Sequence, residues 1–146
     1  MRKICNRKVR DPMAWVKNRT LLATSQTRDI GLAYRLALQS LLSDRGSEQD
    51  WSTLACALNV ALLLAEDGIC AEAEPIIKLA QEAVMHVRRQ ALASGEWCIN
   101  LPYHQKQSIF AAINAHDEQC AACTKGQVMQ ALNEVLRRVE IGEVMA

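Results

Sequence analysis

Apolar residues along this chain recur mostly at intervals of three and four, the spacing that lines one face of an α-helix. Ile30, Ala33, Tyr34, Ala37, Leu38, Leu41 and Leu42 form the first long stripe. It predicts a helix from about Thr27, a capping residue, to Asp44. Trp51, Leu54, Ala55, Leu58, Leu62 and Ala65 form the second, and Cys56, Val60, Leu63 and Leu64 widen it most of the way round. A helix apolar on nearly every side is a central one. Ser47 stands where its cap belongs, Asp50 takes the capping-box position three residues on, and Gly68 stops it. Asn59 then becomes an inward-facing polar group that needs a partner.

The next helix starts near Pro75, with Glu72 and Glu74 at its beginning and Arg88 and Arg89 towards its end, both suited to the helix dipole. Ile76, Ala80, Ala83, Val84, Val87 and Ala91 supply its inner face. "SGEWCINLP" reads as an extended linker that lays Trp97 and Ile99 over the bundle. A further helix runs from Pro102 to about Cys123. The last covers Gln127 to Glu140, with Val128, Ala131, Leu132, Val135, Leu136 and Val139 inward and Thr124 as its cap. Ahead of all of these, Asp11 can cap a short helix with Pro12 at its first position, through "MAWVKNRTLLA". Glycines 46, 68, 95, 126 and 142 fall at helix ends, and Gly31 alone lies inside a helix, where it permits close approach. The pattern predicts an all-α fold: one domain over residues 11–146, a bundle of about five main helices plus the short N-terminal one.

Composition narrows the core. Half of the 146 residues are hydrophobic but only 4% are aromatic, so Ala, Leu, Ile, Val and Cys must fill the interior. The net charge of +1 hides an asymmetry. Residues 1–10 carry Arg2, Lys3, Arg7, Lys8 and Arg10 with no acid, so the other 12 of the 17 basic residues face all 16 acidic ones. The expectation is a basic, flexible arm on a mildly acidic body. Such a body does not suit DNA mimicry or a broad nucleic-acid platform.

The basic start leads into no apolar run of the signal-peptide kind. The densest apolar stretch, "LACALNVALLLA", is too short to cross a bilayer. Both point to a soluble, cytoplasmic protein with no membrane partner, whose six cysteines stay reduced.

Candidate chemistry is sparse. His116, Cys120 and Cys123 are spaced to share a helix face, and zinc accepts such ligands, but a structural site requires a fourth that folding would have to deliver. The same row continues through Ile109, Ala112 and Ile113, which favours plain packing of the cysteines as small hydrophobes. "CAAC" sits at a helix C-terminus, where the dipole raises rather than lowers a thiol pKa. The polar cluster "HDEQ" at 116–119 reads as a solvated helix rim bonded to a neighbouring helix. No nucleophile motif, phosphate loop or catalytic carboxylate pair stands out, so no enzyme and no cofactor are expected. The helix pair joined at "TKG" lacks a cluster of base-reading side chains.

"GSEQDWSTLACALNVALLLAEDGI" and "HDEQ" resemble small helical accessory proteins of phages, prophages and plasmids of Gram-negative bacteria. That resemblance implies a mobile-element context, in which regulators and inhibitors of host defence are common. The expected function is a non-enzymatic interaction module that binds and modulates a host protein complex, an anti-CRISPR inhibitor being the most concrete version. Arg2, Lys3, Arg7, Lys8, Arg10, Trp15 and Tyr103 are the candidate partner-binding residues. A DNA-binding regulator gripping phosphates through the basic arm is the alternative, a zinc protein using His116, Cys120 and Cys123 the remote one, and a homodimer is compatible with either interaction reading.

Overall fold

A computed structural model describes residues 24–140. The basic arm, the helix predicted from Asp11 and the candidate contact Trp15 all lie outside the described residues. Within them the chain forms five helices: α1 (Thr24–Leu42), α2 (Glu48–Glu66), α3 (Glu74–Ser94), α4 (Tyr103–Ala122) and α5 (Lys125–Glu140). A 3-10 turn, Ala71–Ala73, leads into α3, and no strand occurs among the described residues. The fold is all-α.

Local chemistry sets most of these boundaries. Ser47 and Asp50 form a reciprocal capping box at the start of α2: the Ser47 hydroxyl accepts from the Asp50 N–H, and the Asp50 carboxylate accepts from the Ser47 N–H at 3.0 Å. Thr124 and Gln127 do the same for α5, at 3.2 and 2.9 Å. Pro75 sits in the first turn of α3, whose end is closed by Gly95 at φ 80°, a left-handed conformation that glycine adopts without strain.

α2 is central, as its all-round apolarity predicts, and packs against each of the other four helices. Trp51, Leu54, Leu58, Ala61 and Leu64 along it are wholly enclosed. Burying a side chain of that size contributes about 2 kcal/mol. Trp51 also donates its indole N–H to the Val84 carbonyl at 2.9 Å, which joins α2 to α3. Asn59 does find its partner: its side-chain oxygen accepts from Gln81 Nε2 at 2.9 Å.

The linker between α3 and α4 lies over the core, as its aromatic and branched residues predict. Ile99 is buried and its N–H bonds to the Leu41 carbonyl at 2.6 Å, while Trp97 packs beside Trp51 with ring centroids 6.0 Å apart. Gly46 is required by this crossing, because a Cβ there would stand 1.9 Å from the Trp97 carbonyl oxygen.

Several inner faces differ from the pattern in detail. On α1, Ala33 and Leu42 are exposed, and the buried line is Tyr34, Ala37, Leu38 and Leu41. On α3, Ile77 rather than Ile76 heads the inner row: Ile77 is enclosed, and Ile76, also in register with Ala80, is only half-buried. On α5, Leu136 is 52% exposed, because Ala131 and Val135 take the contact with α2.

Candidate interaction groove

The end of the bundle where α2 and α4 finish is organised by the "HDEQ" stretch, and not as a solvated rim. His116 and Gln119 are buried, Asp117 is half-buried, and only Glu118 is exposed. Gln119 falls on the same three-four row as Ile109, Ala112, Ile113 and His116, so helical geometry carries it into the core. There its Nε2 donates to the Ala61 carbonyl at 2.9 Å and to the Ile69 carbonyl at 3.0 Å. One side chain on α4 thereby ties down both the body of α2 and the turn that follows it.

Gln119 also fixes the state of its neighbour. With both amide protons committed to carbonyls, its Oε1 must accept, so the His116 Nδ1 at 3.0 Å carries the proton. His116 Nε2 is left as an acceptor facing the Cys120 thiol at 3.7 Å. Burial holds the His116 pKa below its ordinary value, against a smaller opposing pull from Gln119 and Asp117. The Tyr34 ring lies 5.3 Å from the imidazole, and its hydroxyl donates to Asp117, which also pairs with Arg35. Arg35 reaches Asn114 as well, at 3.1 Å, so α1 and α4 are laced together beside the histidine. Gly31 faces Asp117 here, but a Cβ would stand 3.5 Å from its carboxylate, an ordinary contact, so this approach does not require glycine.

The thiols are held protonated. Burial first, then the neighbouring Cys123 and Asp117, pushes the Cys120 pKa up to about 12. Burial and Cys70 push Cys123 up to about 11. Cys123 packs with Val60, Leu64, Ala131 and Val135 in a small apolar cluster. Among the described residues, no group of three or more His, Cys, Asp or Glu side chains is placed to hold a metal ion.

α4 ends at this pinned corner, where the Cys123 N–H bonds back to the Gln119 carbonyl at 2.8 Å, and Thr124 turns the chain into α5. α5 returns along α2. Between the last turn of α2 and the outer side of α5 opens a groove of about 880 Å³. Its lining mixes polar and apolar surface, with Glu66, Asp67, Gln127, Gln130, Asn133, Glu134, Arg137 and Arg138 beside Leu63, Ala131 and the exposed Met129. Glu134 accepts from both Arg137 and Arg138, and those bonds hold its pKa down to about 2. Glu66 and Asp67 give the groove its acidic wall.

Of the candidate contact residues, Tyr103 is described, at the first position of α4 and 76% exposed. It lies a full helix away from the groove, about 30 Å along the axis of α4. The fold does not bring the two together. No described helix is long and apolar enough to cross a membrane. Comparison with known protein families, with curated proteins and with solved structures finds no match.

Proposed function

We propose that this chain is a non-enzymatic interaction module that docks a segment of a partner protein in the groove between α2 and α5. The observation that carries this reading is the groove itself: broad, open and lined by Glu66, Asp67, Gln127, Gln130, Asn133 and Met129, with Glu134 paired to Arg137 and Arg138 so that the acidic excess lies with Glu66 and Asp67. Such a surface suits a helix or loop that offers basic and amide side chains. The basic residues Arg2, Lys3, Arg7, Lys8 and Arg10 add long-range steering, and Tyr103 offers a second contact at the far end of α4. The mobile-element resemblance directs the choice of partner to bacterial host complexes, with effectors of defence systems such as CRISPR first among them.

The test is affinity capture of the full tagged chain from bacterial lysate, with and without nuclease, beside the double variant E66K/D67K. The expected result is a stoichiometric protein that survives nuclease and whose affinity for the variant falls about tenfold. Nucleic acid recovered alone, and lost on nuclease treatment or on deletion of residues 1–10, would overturn the reading in favour of phosphate binding by the arm. A protein partner held equally well by the variant would remove the groove from the proposal.

A further inference from the structure

α5 spends only part of its apolar surface on α2. Ala131 and Val135 are buried against it and Val128, Leu132 and Val139 half-buried, while Met129 and Leu136 remain 50% and 52% exposed. Lys125, Met129, Leu132, Leu136 and Glu140 follow one another at four, three, four and four residues. They therefore fall within about a quarter of the helix circumference. The stripe shares only Met129 with the groove.

This stripe is symmetric about its own midpoint. Lys125 and Glu140 lie equally far from the gap between Leu132 and Asn133, and so do Met129 and Leu136. We infer that α5 pairs with α5 of a second copy, antiparallel across a two-fold axis. Running the two helices in opposite directions sets Met129 against Leu136 of the second copy and brings both Leu132 side chains to the axis. It also places Lys125 opposite Glu140 of the second copy, twice over. The interface is its own complement in shape and in charge.

A second observation supports the pairing. Lys125 opens α5 and Glu140 closes its described length, and both signs oppose the helix dipole, although Arg137 and Arg138 in the last turn supply the favourable charge beside Glu140. No acid occupies the first turn to offset Lys125, and neither residue forms an ion pair among the described side chains. Charges placed against a helix's own field find compensation when an antiparallel neighbour sets opposite charges beside them. With three apolar side chains per copy the contact is small, so association in the micromolar range is expected. This inference does not rest on the groove and stands or falls separately from it.

Sedimentation velocity of the full chain, over a concentration series spanning the micromolar range, tests it. The wild type should pass from monomer to dimer, and L136E should stay monomeric throughout. K125E alone or E140K alone makes both symmetry-related pairs repulsive and should weaken association about tenfold, whereas K125E/E140K should restore it. Both reversals favour the helix dipole, so loss of dimer in either single variant cannot be laid to loss of α5, as far-UV circular dichroism will confirm. A wild type monomeric at every concentration, an L136E variant that still dimerises, or a double variant no better than the singles would each overturn the proposal.

Discussion

The four-helix body and α5 are held in different ways. The larger core draws on α1, α2, α3, α4 and the linker, and encloses Trp51, Leu41, Leu54, Ile77, Ile109 and Ile113 almost completely. The smaller cluster joins α5 to α2 through Val60, Leu63, Leu64, Cys123, Ala131 and Val135, with only the last two coming from α5 itself. The body can lose one contact and keep many. α5 rests on one face of one helix and borders the groove; exposed apolar residues occur on the body as well, Leu32 and Leu36 on α1 and Leu79 and Leu92 on α3. A helix fixed so lightly, and left half-uncovered, is suited to meeting something outside the chain.

The sharpest way to break this contrast is to damage each region and ask whether the other notices. Trp51→Ala removes a fully buried indole, its bond to the Val84 carbonyl and its packing against Trp97. It should cost about 4 kcal/mol in denaturant unfolding and lower the protection of amides in every helix. Val135→Ala should cost less, about 1.5 kcal/mol, and differently. Hydrogen exchange should speed up in α5 while the amides of α3 and α4 keep their wild-type rates. Equal loss in both regions would show one cooperative unit and remove the distinction drawn here.

The smallest effect concerns the corner that joins the two. His116 has a folded pKa below its unfolded value of 6.5 because it is buried, so the unfolded chain binds the extra proton more readily. Stability is therefore full above about pH 6.5 and falls as the pH drops below it. Protonation would also put an N–H at Nε2, where the Cys120 thiol now donates. Urea unfolding between pH 7.5 and 5 should show this slope in the wild type and a flatter one in His116→Phe. Equal slopes would mean that other groups carry the acid sensitivity.

Much of the body was legible beforehand because its signals are local. Ser47 with Asp50, Thr124 with Gln127, Pro75 and Gly95 act within a few residues of themselves, and each does in the structure what its type and spacing imply. The centrality of α2 was legible too, since a helix apolar most of the way round has no face to give to water. "HDEQ" was misread for a definite reason. Polarity alone suggested a rim, although Gln119 lies on the apolar row of its own helix, and the row decided. A polar residue on an inner row signals buried carbonyls waiting for donors, and here those carbonyls belong to residues fifty and more positions away.

By itself, then, the sequence determined the described helices, the caps of α2 and α5, the central member and the fold class, because periodicity and capping are short-range properties of the chain; Thr27, expected as a cap, lies instead inside α1. Only the tertiary structure decided which flank of each stripe is covered, why position 46 must be glycine, and that Glu66 and Asp67 share a groove with Asn133 and Glu134. Those facts depend on how far two surfaces approach across the fold. No interval along the chain encodes that distance, because packing of the whole body sets it.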